Sequence, residues 1–453
     1  MVSDFLGDLL QTITDRGRRL LSGNSSWADR RSSIESLCVT LLSSQGEASG
    51  VALAKAILDR WEGLDEEQKR SFMVLLLSRF GPDTGRVDKA IEQYKDGHVP
   101  AALLELHSAS EPRRQELIRR LNLASNGTAT LVRMREALLE MKKEIPDLAA
   151  VDSDFAHLFN SWFNRGFLVL RPINWSTPAN ILEKIIEYEA VHQINGWDDL
   201  RRRLAPDDRR CFAFFHPQLP DDPLVFVEIA LTKGVPSAID EVLGEHHDVV
   251  PPAEATTAVF YSISNCHEGL RGVSFGNFLI KQVVDDLRRD LPNLDTFVTL
   301  SPVPGFAKWL ADELGSEKVA AFERPLLEIL NNPEWADSPE IVTKVQPALM
   351  AAAARYLLSE RNRHGRPIDA VSRFHLGNGA RLERINFLAD RSDRGMLQGH
   401  GLMVNYLYKL DEIETNHEAY ASRGEVVATQ QVRRLLHSKR ASLASHQATR
   451  LDP

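Results

Sequence analysis

The stretch AVFYSISNCHEGLRGVSFGNFLIKQVVDDLRRDLP, residues 258–292, decides the fold class. It opens as a strand, crosses a loop marked by Gly269, Gly272 and Gly276, and becomes a helix with Leu279, Val283 and Leu287 on one face. A strand–loop–helix unit of this kind presents free backbone N–H groups at a helix N-terminus, where the helix dipole also favours negative charge. It can therefore hold a pyrophosphate with little net positive charge, and Arg271 and Lys281 stand where they could add direct pairing. The glycine spacing fits neither a dinucleotide fingerprint nor a Walker loop. On this pattern alone, a plain structural turn and an anion site both remain open.

The next strand ends in TFVTLSPVPGFAKWL, residues 296–310. Ser301 lies at the strand terminus, the edge where open α/β sheets bind ligands. Pro302 keeps Ser301 out of helical geometry and Pro304 restricts a second backbone angle, so the hydroxyl is held in place. No Gly-x-Ser-x-Gly elbow surrounds it, which argues against a hydrolase nucleophile. A turn device is the plainer alternative.

A third unit, SRFHLGNGARLERINFLAD (372–390), sets His375 among apolar residues before a Gly-Asn-Gly turn and a strand expected over 384–390. Histidine is the commonest proton-transfer residue near neutral pH, although a lone one is often structural. Three other features weigh less. His246, His247 and Asp248 lack a further ligand cluster, so no metal is expected. EAVHQINGWDDLRRRL (189–204) reads as a helix edge with a solvated charge run. Tyr406 and Tyr408 read as packing residues of a strand.

Around these units the chain divides by character. Residues 1–150 read as seven or eight helices of bundle length, broken at SGNSS, GPDTG, DGHVP and SNGT. From 151 onward, strand-like runs alternate with helices, and residues 311–367 return to helix, with an alanine-rich segment (348–360) that ends before RNRHGRP. The expected class is α/β, with an N-terminal all-helical bundle followed by an α/β domain carrying a helical insertion. A net charge of −9 disfavours general nucleic-acid binding. The cysteines Cys38, Cys211 and Cys266 are too few and scattered for a disulfide framework. No run approaches a transmembrane length, and the first residues read as an amphipathic helix rather than a signal peptide. A cytosolic, cytoplasmic, bacterial protein is expected.

Taken together, EAVHQINGWDDLRRRL, VFYSIS…GLRGVSFGNFLIKQVV, TLSPVPGF, RFHLGNGARLERINFLAD and GLMVNYLY resemble the malonyl-CoA decarboxylase family in its order. The resemblance spans about 150–425, and the helical first third fits that family's N-terminal domain. It implies a helical oligomerisation domain over 1–150 and a GNAT-like catalytic domain over 151–453. It also implies a homo-oligomer, either a tetramer or a dimer of dimers. The coenzyme A pyrophosphate would lie on Arg271, Gly272, Val273, Ser274, Phe275, Gly276 and Asn277, the catalytic serine would be Ser301, and the catalytic histidine His375. Family members carry a glutamate at the position of Ser274, so only a backbone role is implied there.

The implied reaction converts malonyl-CoA to acetyl-CoA and CO2 through a thioester enolate, which takes a proton at C2 from a Ser301/His375 pair. No metal and no organic cofactor is expected, since coenzyme A is part of the substrate. Two rivals are a GNAT-type acyltransferase and a non-catalytic acyl-CoA-binding scaffold. Malonyl-CoA incubated alone separates the first, and insensitivity to change at Ser301 would mark the second.

Overall fold

In the computed structural model the described residues are Thr12, 33–43, 46–244, 248–273, 279–314 and 329–436. They fall into two compact units that interleave along the chain. The first holds the described residues up to Val169, with Phe214–Leu224 and the described part of Asn265–Gly276.

That unit is built from helices α1 (Ile34–Ser43), α2 (Glu47–Glu62), α3 (Glu66–Arg79) and α4 (Thr84–Lys95). They are followed by α5 (Pro100–Ser110), α6 (Arg113–Leu121), α7 (Gly127–Met141) and α8 (Ala149–Trp162). Local chemistry sets several starts. Asp65 forms a capping box with Gln68 ahead of α3, and Pro100 occupies the first turn of α5, where its missing N–H costs nothing. Apolar residues at helical spacing, such as Leu131, Met134, Leu138 and Met141 on α7, are buried in the unit's core. Trp61 and Phe72 pack with ring centres 5.4 Å apart. Inside this core Arg114 Nε donates to Asp154 at 2.5 Å, and Gln115 occupies the other carboxylate oxygen at 2.7 Å. A buried charge so fully paired is tolerated, whereas removing one partner strands the other.

The second unit, Leu170–Ala213, Val225–Ser264 and the described residues from 279 on, carries an eight-stranded mixed sheet. Its elements begin with β1 (Val169–Ile173), α9 (Ala179–Tyr188), α10 (Trp197–Leu204), β2 (Arg209–Phe215), β3 (Val225–Thr232) and α11 (Asp240–Leu243). Next come β4 (Thr257–Asn265), α12 (Leu279–Asp290), β5 (Thr296–Thr299), β6 (Ser301–Pro302) and α13 (Phe306–Leu314). The remainder are α14 (Pro339–Leu358), α15 (Ala370–Gly377), β7 (Arg381–Asn386), α16 (Asp393–Gly399), β8 (Met403–Leu407), α17 (Ile413–Arg423) and α18 (Gln430–Leu435). Sheet order is β1-β2-β3-β4-β5-β8-β6, with β7 on the other side of β8. β4 and β5 run parallel, while β5, β6 and β7 all pair antiparallel with β8.

β5 and β6 are one bent strand. Val298 pairs with Leu407 and Ser301 with Val404, the same register on either side of Leu300. At Leu300 the backbone N–H turns instead to the Phe260 carbonyl, 3.0 Å away. Alternation then sorts the side chains. Val298 and Leu300 join Val259, Ala230 and Met403 in a buried apolar cluster on one face. Phe297, Thr299 and Ser301 point to the other, opposite Tyr408, Tyr406 and Val404.

The structure corrects some local expectations. The strand placed at 384–390 runs from Arg381 to Asn386, because the chain leaves the ladder and Leu388 takes a left-handed φ of 49°. Strand β1 went unrecognised, since Arg171 and Pro172 break its apolar pattern and Pro172 is tolerated only at a sheet edge. The charge run on α10 is not wholly solvated, because Arg203 is buried against Glu228 at 3.1 Å and the Gln193 carbonyl at 2.9 Å. Burial, with Glu189 and Asp199 nearby, pushes the Glu228 carboxyl up to about 8. The alanine-rich segment belongs to α14, Pro339–Leu358, which carries Pro347 inside it. Among the described residues no helix is long and apolar enough to cross a membrane. His246 and His247 lie outside the described residues.

Candidate active site

Ser301 and His375, 74 residues apart in sequence, meet in the second unit with Oγ and Nε2 at 3.1 Å. Both are buried, at 6% and 3% exposure. The bent strand presents Ser301 from the sheet, and α15 presents His375 from above the same face. Asp369 starts α15 by accepting from Ser372 N–H at 2.6 Å, while the Ser372 hydroxyl meets the Tyr406 phenol at 2.6 Å. One turn on, His375 stacks on the Tyr406 ring, with centres 4.6 Å apart and planes 23° from parallel. The helix is thus tied to β8 by a hydroxyl pair and a ring stack, which together orient the imidazole.

Each ring nitrogen has a hydroxyl partner. Tyr408 Oη lies 2.8 Å from Nδ1, and Ser301 Oγ faces Nε2. Ser301 also donates to Thr299 Oγ1 at 2.9 Å, and Thr299 Oγ1 accepts from Tyr406 N–H at 3.1 Å. With the serine proton on Thr299, the consistent set has Nε2–H donating to Ser301 and the Tyr408 phenol donating to Nδ1. Burial depresses the His375 pKa to about 3, so the ring is neutral at physiological pH. The same burial holds the Tyr406 and Tyr408 phenols protonated, far above their ordinary range. The result is a buried, uncharged set of hydroxyls about one imidazole.

The glycine loop belongs to the first unit. Gly269 lies in a short turn, Glu268–Leu270, packed so closely on α7 that a Cβ would sit 2.1 Å from the Val132 carbonyl oxygen. Arg135 Nη1 donates to the Gly269 carbonyl at 2.8 Å. Beyond it, Arg271 N–H bonds Glu268 O at 2.9 Å and Val273 N–H bonds Leu270 O at 3.0 Å. Gly272 adopts φ of 77° and has open space where a side chain would be. Among the described residues its N–H has no backbone partner, and Gly272 is itself exposed, so this is one amide of the loop open to a ligand. The Arg271 guanidinium pairs with Glu268, and Lys281 with Glu414 at 3.0 Å. Ser274, Phe275, Gly276 and Asn277 lie outside the described residues.

Sequence reasoning missed Thr299, Ser372, Tyr406 and Tyr408. The two tyrosines were read as packing residues, yet both hydroxyls belong to the histidine's surroundings. A signal existed: Thr299 and Ser301 share a face two residues apart, as do Tyr406 and Tyr408, and hydroxyls seldom line a strand face without a partner.

Comparison with known proteins places this geometry. A sequence model of the malonyl-CoA decarboxylase C-terminal domain matches residues 166–446, and one of the N-terminal domain matches 80–163. The mitochondrial malonyl-CoA decarboxylase of Anser anser anser is 35% identical over 408 residues, covering 82% of this chain and 81% of that protein. The Rattus norvegicus protein is 34% identical over 410 residues, covering 82% of each. The crystal structure of malonyl-CoA decarboxylase from Rhodopseudomonas palustris superposes with a TM-score of 0.86 at 56% identity, covering 88% of this chain and 98% of that one. That from Agrobacterium vitis gives 0.85 at 61% identity, covering 89% and 99%. With the family's C-terminal model spanning more than half its length, the chain belongs to the malonyl-CoA decarboxylases.

Proposed function

We propose that the chain decarboxylates malonyl-CoA without a metal or organic cofactor, using Ser301 and His375 as its proton-handling pair. The observation that carries this reading is the 3.1 Å contact between Ser301 Oγ and a neutral, buried His375 Nε2. The chemistry needs little else. When the C2–carboxylate bond breaks, its electron pair forms the C1=C2 bond of an enolate and the thioester carbonyl takes the negative charge. The substrate is thus its own electron sink. CO2 leaves neutral and C2 accepts one proton, so each turnover draws one proton from solvent.

A neutral imidazole is a poor acid, and the substrate remedies this. Its carboxylate, placed beside the pair, favours the imidazolium by direct charge attraction. The Tyr408 phenol supports that change, because it can donate to the neutral ring at Nδ1 and accept from the charged one. With substrate bound, Ser301 turns its proton from Thr299 to the malonyl group and relays or accepts the proton, and His375 delivers it to C2. A preorganised hydroxyl in a site closed to water stabilises the developing oxyanion far better than it would in solvent. Loss of CO2 moves the negative charge from the carboxylate to the enolate, and transfer of the imidazolium proton to C2 then returns the ring to neutrality.

Residues 271–277 are the proposed seat of the coenzyme A pyrophosphate, with the Gly272 amide available to it. Residues 1–150 would serve self-association, and 151–453 catalysis in the cytoplasm. The test is release of CO2 and acetyl-CoA from malonyl-CoA with no acceptor present. Ser301→Ala and His375→Asn should each lower kcat by about a hundredfold or more while the protein stays folded. Near-normal turnover in both variants would rule the pair out, and failure of the wild type without an acceptor would point to acyl transfer.

A further inference from the structure

We propose that Arg135, on helix α7 of the helical unit, is a positioning residue for the phosphate end of the substrate, acting through the Gly269 carbonyl. This rests on the reading of residues 271–277 as the coenzyme A cradle. Arg135 is 3% exposed and held at both ends of its guanidinium. Nε donates to Asp152 Oδ1 at 2.8 Å and Nη1 to Gly269 O at 2.8 Å, while Asp152 also takes the Lys142 ammonium. The turn it grips cannot shift toward the helix, because Gly269 already lies against the backbone of Val132 and has no side chain to spare.

From that anchor the path to Gly272 is short and stiff. The Arg271 and Val273 amides are bound to Glu268 O and Leu270 O, which ties Glu268 through Val273 into one hydrogen-bonded piece. The direction of the Gly272 N–H is therefore set by how Gly269 sits on α7. A pyrophosphate bound by backbone amides depends on those amides being aimed before it arrives, since each must otherwise be ordered at the expense of binding. The helical region thereby gains a role in substrate recognition besides assembly. A buried arginine could satisfy a carbonyl for stability alone, and the two roles differ in what they do to substrates with and without phosphates.

The experiment compares malonyl-CoA with malonyl-pantetheine, which lacks the pyrophosphate and the nucleotide, on the full chain. Arg135→Gln should lower kcat/KM for malonyl-CoA roughly tenfold through KM, and change that for malonyl-pantetheine by less than about twofold. Equal losses on both substrates, or a loss on neither, would overturn the proposal. If Arg135→Gln does not fold, Arg135→Lys decides by the same comparison, keeping a charge beside Asp152 but not the forked reach to Gly269. Gly272→Val is the control for the cradle itself. If it spares KM for malonyl-CoA, or if the wild type shows no preference for malonyl-CoA, the cradle reading falls and this proposal with it. If Gly272→Val raises KM and Arg135→Gln does not, the proposal alone falls.

Discussion

The Tyr408 hydroxyl stands 2.8 Å from His375 Nδ1, on the ring edge opposite the one that faces Ser301. The imidazole is therefore held between two hydroxyls, and the outer one decides how easily it gains a proton. Tyr408→Phe removes the acceptor that an imidazolium Nδ1–H needs. We expect kcat to fall about tenfold, the worth of one hydrogen bond to a charged group. Its fall at high pH should begin at lower pH than in the wild type, because the charged ring is less stabilised. A pH profile of kcat checks both, and an unmoved high-pH limb would remove Tyr408 from the proton path.

Thr299 acts on the other partner. Its Oγ1 takes the Ser301 proton at 2.9 Å while accepting the Tyr406 amide. Thr299→Val keeps the shape and loses the acceptor, freeing the serine to rotate and stranding an amide. We expect about a tenfold lower kcat with KM nearly unchanged, and a loss of about 1–3 kcal/mol in stability for the unsatisfied buried N–H. Steady-state kinetics and urea unfolding measure the two separately.

Acid stability should follow the buried histidines. His375 is depressed to about 3, and His192 and His400 to about 4, all chiefly by burial, against an ordinary value of 6.5. The unfolded chain binds protons at these rings before the folded one does, so their contribution to stability is full above pH 6.5 and falls as pH drops toward 4. Thermal unfolding between pH 7 and 4 should show the decline, and His400→Asn should flatten it. A midpoint independent of pH over that range would contradict the assignment.

The arginine run on α10 separates surface from interior at one-residue resolution. Arg203→Met removes the buried guanidinium's hydrogen bonds to Glu228 and to the Gln193 carbonyl, leaving both acceptors unpaired in the core, and should cost about 1–3 kcal/mol. Arg202→Ala, on an exposed side chain paired with Asp199, should change stability by less than about 0.5 kcal/mol. Chemical denaturation of the two variants makes the comparison.

How far the site was legible depended on whether its parts were local. The Pro-Val-Pro corner and the strand before it were readable because proline restricts backbone angles in any context, and Ser301 followed. The glycine loop was readable as a strand-to-helix turn, but its close seat on α7 was not, since nothing near Gly269 in sequence names Val132 or Arg135. His375 stood out as a candidate, whereas its partners did not. Tyr406 and Tyr408 look like any aromatic strand until β8 is laid against β5 and α15 above it. Arg203 was misread for the same reason: a charge is solvated or buried according to what packs on its helix, and Glu228 lies 25 residues away.

Strand β8 pairs along one edge with β5 and β6 and along the other with β7. Tyr406 N–H reaches Thr299, 107 residues away in sequence. During synthesis, then, Ser301 emerges from the ribosome long before the strand that completes its surroundings. A nascent chain that has reached residue 400 already carries the glycine loop, the serine and the histidine, yet lacks the tyrosines that hold the ring. Turnover should therefore switch on late and all at once, with little chance of partial activity from an unfinished chain.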